Sequence, residues 1–202
     1  MKPGCLVQRL LFLWVATLPL PALSEEPVQG LVQLNYVADR PEAGGATGNA
    51  DGYALVGGYL LTEDLVGFAE YEHIPHPLLP PRSGHSDEDD YEGGLKLEYP
   101  LDSTPLKWVT AFAYEVEHDT APSGNSREQG YDFVQGLRIV VNPRLELITD
   151  LHYETVGGSS NKLVLGFVQD FGSRFAFEGE AEHSRSGGRF SNEYLLGVRF
   201  YY

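Results

Sequence analysis

Pairs of carboxylates recur at one spacing. Glu70 and Glu72, Glu115 and Glu117, and Glu180 and Glu182 each stand two residues apart, the interval at which side chains on an extended strand point the same way. Glu92, Asp132, Glu154 and Glu193 stand singly in similar alternating surroundings, with Asp150 and Glu178 further in. Carboxylates gathered on one face attract cations, and rings of them select cations in channels. Two other groupings carry reactive types. His76 and His85 share a loop with Asp87-Glu88-Asp89-Asp90, donors suited to a divalent ion, but the spacing matches no defined motif and a solvated acidic loop is expected instead. Asp150 and His152 share a strand face, while His183 and Ser184 precede Glu193. By alternation Ser184 points away from His183, so no nucleophile, base and orienting group converge. No catalytic residue, metal or cofactor is expected.

Those side chains must be held by the rest of a chain of 202 residues, with 14 basic and 29 acidic side chains. Lys2 and Arg9, the apolar run Leu10 to Leu18 and the small residues of Ala22-Leu23-Ser24 read as an export signal cleaved before Glu25. The apolar run is too short to cross a bilayer. Residues 1–24 are therefore set apart, leaving one domain over 25–202. The single cysteine, Cys5, falls in the removed segment, so the mature chain has no disulfide. Twelve basic and 29 acidic residues remain, a formal charge of −17. That balance excludes nucleic acid as a partner, because phosphate binding needs a basic face.

Past the signal there is no helical stripe, and period-2 alternation recurs throughout. In the last segment Tyr194, Leu196, Val198, Phe200 and Tyr202 oppose Glu193, Leu195, Gly197, Arg199 and Tyr201. Ten strands are expected, near 28–38, 51–61, 65–73, 91–99, 106–117, 131–141, 145–155, 162–170, 174–183 and 191–202. Weak alternation in the second and eighth leaves eight possible. Short turns at 62–64, 100–105, 142–144 and 171–173 alternate with polar loops at 39–50, 74–90, 118–130, 156–161 and 184–190. Strands of about ten residues suit a tilted membrane crossing. Tyr36, Tyr53, Tyr91, Tyr99, Tyr114, Tyr131, Tyr153, Tyr194 and Tyr202, with Trp108, lie near strand ends, where aromatic girdles meet headgroups. The expected fold is all-β: an antiparallel, up-and-down transmembrane β-barrel.

The terminal strand, with Tyr194, Leu196, Val198, Phe200 and a final aromatic Tyr202, resembles the β-signal of bacterial outer-membrane proteins, and the architecture resembles their small barrels. The resemblance implies an integral protein of the Gram-negative outer membrane, inserted by the barrel-assembly machinery and surrounded by lipid and lipopolysaccharide. The termini would be periplasmic and loop 74–90 external. No subfamily signature is present. Two outer-membrane enzyme types remain as alternatives. Omptin-like proteases carry Asp and His at the outer rim, as Asp150 and His152 do in part. Lipid A deacylases use His, Ser and Glu, the types of His183, Ser184 and Glu193.

Sorted by depth, the outer half of the polar face holds Glu70, Glu72, Glu92, Glu115, Glu117, Asp132, Glu154, Glu180, Glu182 and Glu193, with Lys162 as its one base. The inner half sets Lys96, Lys107, Arg138, Arg174 and Arg199 against Glu98, Glu146 and Asp170, and can neutralise itself through ion pairs. Ten tilted strands give a backbone radius of about 10 Å, too little for a wide diffusion pore once side chains fill it. The expected function is a barrel with an acidic vestibule, either a narrow channel preferring small cations or a structural and interaction element.

Overall fold

The computed structural model describes residues 29–41, 48–78, 85–122, 124–186 and 189–202. The expected export signal lies outside them. The strands are β1 (Gly30–Pro41), β2 (Ala50–Leu60), β3 (Leu65–Pro77), β4 (His85–Pro100), β5 (Leu106–Ala121), β6 (Gly124–Asn142), β7 (Leu145–Glu154), β8 (Ser160–Asp170), β9 (Phe175–Ser186) and β10 (Arg189–Tyr201). Each pairs antiparallel with its sequence neighbours, and β1 pairs with β10 to close the barrel. The strand count is ten, not eight. Closure leaves no sheet edge at mid-barrel, which a wall within hydrocarbon requires.

Alternation decides which side chains face which medium. On β1, Val32, Leu34 and Tyr36 are exposed outside, while Gln33, Asn35, Val37 and Asp39 are buried inside. β10 repeats this, with Tyr194, Leu196, Val198, Phe200 and Tyr202 outside and Glu193, Leu195, Arg199 and Tyr201 lining the interior. A barrel in water would bury its apolar face. Here that face is outermost and the charges are enclosed, the arrangement suited to hydrocarbon. Two polar residues on the outer face, Thr110 and Gln135, are cross-strand partners and satisfy each other, Gln135 Nε2 donating to Thr110 Oγ1 at 2.8 Å. Trp108 Nε1 donates to both side chains, at 3.2 and 3.1 Å.

Aromatic side chains mark the two borders of this belt. Tyr36 faces Tyr53, Tyr71 faces Tyr91, and Tyr114 faces Tyr131 toward one end. Tyr99 faces Trp108 and Phe175 faces Phe200 toward the other, beside Tyr202. The second end also carries the described termini and the short connections at 61–64, 101–105, 143–144 and 171–174. Arg174, expected to open a strand, belongs to the last of these turns.

The opposite end differs from expectation. Residues 74–77, 85–90, 118–121 and 124–130 are strand rather than loop. β3 and β4 stay in register from Leu65↔Leu97 to Pro77↔His85, and β5 and β6 from Leu106↔Ile139 to Ala121↔Gly124. The apolar alternation lapses there because neither face meets lipid beyond the girdle, while the backbone ladder continues. β6 consequently has 19 residues, whereas β7 has 10. The ladder between those two stops at Asp132↔Glu154, so the β5–β6 ribbon rises beyond its other neighbour.

Candidate functional site: an acidic lumen

The barrel encloses a cavity of about 690 Å³. Of the ten acidic residues expected together on the polar face, all but Glu117 line it, among them Glu70, Glu72, Glu92, Glu115, Asp132, Glu154, Glu180 and Glu182. Glu117 lies further toward the outer rim, opposite Asp90. They come from β3, β4, β5, β6, β7 and β9, and Glu193 of β10 joins them. On the β1–β2 side the wall is mixed, with Val37, Ala50, Ala54, Ile74 and Leu195 packed together and the polar Gln33, Asn35 and Asp39 beside them.

Charge pairing divides the lumen by depth. Toward the end bearing the termini, Lys96 pairs with Glu98 at 2.8 Å and Lys107 with Glu146 at 2.7 Å. Near the middle, Arg199 Nη2 donates to Glu178 at 2.6 Å, and Arg138 holds Asp150 with two hydrogen bonds. Arg138–Asp150 and Arg199–Glu178 brace neighbouring strands, Lys107–Glu146 reaches from β5 across β6 to β7, and Lys96–Glu98 lies within β4; each pair neutralises itself. Toward the end opposite the termini, the lumen has one ammonium among the described residues, on Lys162, 3.0 Å from Glu154 and 3.1 Å from Glu182. The field of that ammonium also reaches Glu70, Glu72, Asp90, Glu92, Glu115 and Glu193. One cation therefore stands among many carboxylates in this part of the lumen.

The acidic surface extends further than the sequence indicated. Asp90 lines the cavity, and the inward side of the β3–β4 extension carries Glu88 and His76. His76 is buried, with Nε2 3.0 Å from Glu88 Oε2 and Nδ1 3.6 Å from Asp39 Oδ2. Four consecutive acidic residues show no apolar alternation, so in the sequence Asp90 and Glu88 read as loop. Their alternation becomes visible only once β4 is known to extend to His85. As wall residues, Asp87 and Asp89 face away from Glu88 and Asp90, so the acidic run is divided between the two faces of the strand, and its contact with His76 is through Glu88. His73, on the outer surface, takes Asp89 at 2.9 Å.

His76 lies beyond the aromatic girdle, where burial opposes its protonation. The hydrogen bond to Glu88 and the charges of Glu88, Asp39 and Asp119 outweigh that effect and hold the imidazole above its ordinary value.

The residues considered for hydrolysis separate. Asp150 is engaged by Arg138, and His152 Nδ1 turns to Asp132 Oδ2 at 2.8 Å. His183 bonds Asn192 at 2.9 Å on the outer surface, whereas Glu193 lines the lumen.

No protein-family model matches the chain, and no curated protein matches it in sequence. Solved structures share its fold. An outer-membrane channel from Pseudomonas putida F1 is similar at TM-score 0.51 and 10% identity, covering 91% of this chain and 98% of that one. The fold is that of bacterial outer-membrane β-barrels. The translocator domain of the autotransporter NalP from Neisseria meningitidis is similar at TM-score 0.49 and 12% identity, covering 98% of this chain and 96% of that one. Neisserial surface protein A is similar at 0.46 and 15%, covering 86% of this chain and 97% of that one.

Proposed function

We propose that the chain is an integral protein of the bacterial outer membrane, termini in the periplasm, whose lumen admits small cations in preference to anions. The observation that carries this reading is the asymmetry of pairing: the inner lumen neutralises itself, while the outer lumen sets Lys162 against Glu70, Glu72, Asp90, Glu92, Glu115, Glu154, Glu182 and Glu193. Such a field, focused between low-dielectric walls, concentrates cations at the mouth and repels anions. The cross-braces Lys107–Glu146, Arg138–Asp150 and Arg199–Glu178 project into the path below, so passage is narrow and confined to small ions. Lipid and lipopolysaccharide contact the apolar belt in this reading, and the assembly machinery recognises the terminal strand.

The test is the reversal potential of the refolded barrel in a planar bilayer under a salt gradient. Cation preference that weakens as salt rises, through screening, supports the reading. Glu→Gln at positions 70, 72, 115, 117, 180 and 182 should abolish the preference. Anion preference unchanged by those substitutions would overturn it. A correctly folded barrel that carries no current would favour a structural or interaction role, in which the ion pairs serve as a plug. The hydrolase alternative has no converged set of residues behind it.

A further inference from the structure

At the level of the outer girdle, between β6 and β7, three lumen side chains of different kinds meet. Asp132 and Glu154 are directly opposed in the ladder, and His152 precedes Glu154 on the same face of β7. Each offers a ligand atom, and these atoms all lie within 4.8 Å of one another. We propose that Asp132, His152 and Glu154 form a binding site for a first-row divalent metal ion of the zinc type.

Two independent features support the site. The first is the donor set. One imidazole with two carboxylates suits Zn²⁺ and its neighbours better than Mg²⁺ or Ca²⁺, which take all-oxygen shells. Three protein ligands leave a fourth position for water from the lumen. The second is an unmet demand. Asp132 is only 3% exposed, and its Oδ1 is buried without a hydrogen-bond partner among the described residues. A buried carboxylate oxygen in that condition is costly unless something positive completes it. No other basic group relieves it, since the nearby Lys162 is committed to Glu154 and Glu182.

The surroundings are compatible with binding. Ser160 Oγ donates to Glu154 Oε2 at 2.7 Å, fixing one carboxylate oxygen and leaving Oε1 to Lys162. When a metal takes Oε1, the ammonium keeps Glu182. His152 Nδ1 and Asp132 Oδ2 stand 2.8 Å apart, whereas ligand atoms about 2.1 Å from a tetrahedral ion are separated by roughly 3.4 Å. Opening that contact takes about half an ångström, within the reach of side-chain rotation. A neutral imidazole that ligates through Nδ1 carries its proton on Nε2, so binding at that atom requires this tautomer of His152. The site needs no ion flow, so it stands apart from the conductance reading.

Calorimetric titration of the detergent-refolded barrel with ZnCl₂ tests the site, with heat-modifiable migration reporting the fold of each variant. One tight Zn²⁺ per barrel is expected, unaffected by a tenfold excess of Mg²⁺. His152→Gln and Glu154→Gln should each weaken it by at least about tenfold, as loss of a metal ligand does. His76→Gln should leave it unchanged. In the unmodified barrel, Co²⁺ should give visible bands of a nitrogen-ligated ion, and Zn²⁺ should shift the ring resonances of one histidine alone. Those two readings serve even if a variant fails to assemble. Full-strength binding in folded His152→Gln, equal competition by Mg²⁺, or no histidine shift would overturn the proposal.

Discussion

Arg138 and Asp150 grip each other across β6 and β7, Arg138 Nη2 donating to Asp150 Oδ2 at 2.7 Å, in space that Gly136 leaves open. Gly136 is the cross-strand partner of Asp150, and a Cβ there would collide with its Oδ1. Both partners of the pair are buried. Removing one strands the other, at a cost of about 3–5 kcal/mol. Asp150→Asn and Arg138→Met should therefore each lower the urea midpoint of the refolded barrel. The double variant Arg138→Met/Asp150→Leu should recover much of the loss, because replacing a buried pair by apolar groups is often neutral. Equal losses in single and double variants would argue against a coupled pair.

His76 predicts a pH dependence of the outer end. Its folded-state value is raised by Glu88, Asp39 and Asp119 against the effect of burial, so folding favours the protonated imidazole. The stabilisation is complete below the unfolded value, about 6.5, and fades as pH rises through the raised folded value. Amide exchange in β3 and β4 beyond Tyr71 and Tyr91 should be slower at pH 6 than at pH 9, after correction for the intrinsic rate. His76→Gln should flatten that difference. Protection that increases with pH would contradict the sign.

Asp87 decides the topology. It lies on the β4 extension beyond the girdle, paired with Pro75 and Thr120, and alternation turns it outward. The mature chain lacks cysteine if cleavage occurs before Glu25, so Asp87→Cys creates a single thiol. A membrane-impermeant maleimide should label it on intact cells. Labelling only after the outer membrane is opened would reverse the orientation.

The terminal strand gives a prediction about assembly. Tyr202 accepts backbone bonds from Gln29 and Gly30, at 2.7 and 3.0 Å, and donates to Gly30 at 3.0 Å, so it helps seal β10 to β1. Deleting Phe200 to Tyr202 should yield exported chain that is degraded in the periplasm. Normal heat-modifiable barrel in the outer membrane would show that these residues are dispensable.

The fold was legible where each residue's two faces meet different media. From Val32 to Tyr36, and from Tyr194 to Tyr202, lipid outside and polar groups inside impose a period that the sequence displays. Past Tyr71 and Tyr91 the outward face no longer meets lipid, and the Asp87–Asp90 run reads as loop although its backbone is strand. The vestibule carboxylates were legible for the same reason as the strands. The contact of His152 with Asp132 was not, because it depends on the β6–β7 register. That register places Asp132 against Glu154 and gives Arg138 to Asp150, neither of which periodicity can specify.

The unequal heights of β6 and β7 have a consequence for self-association. Above Asp132 the β7 side of β6 has no strand beside it among the described residues, leaving backbone donors and acceptors able to pair with another molecule. The β7–β8 connection covers the base of this ribbon. Thr155 bonds Tyr131 through its backbone N at 3.0 Å and receives its N–H at 2.8 Å, and the backbone there closes over Gly130 so tightly that a Cβ would not fit. Higher up, Arg127 and Glu128 put a charge on each face of this edge, and a strand added there would have to pack its own side chains beside them. Charged edges of this kind keep sheets from joining end to side. Arg127→Val/Glu128→Val should remove that protection, and the detergent-solubilised barrel should then migrate as dimers and larger species in light scattering, where the parent remains monodisperse.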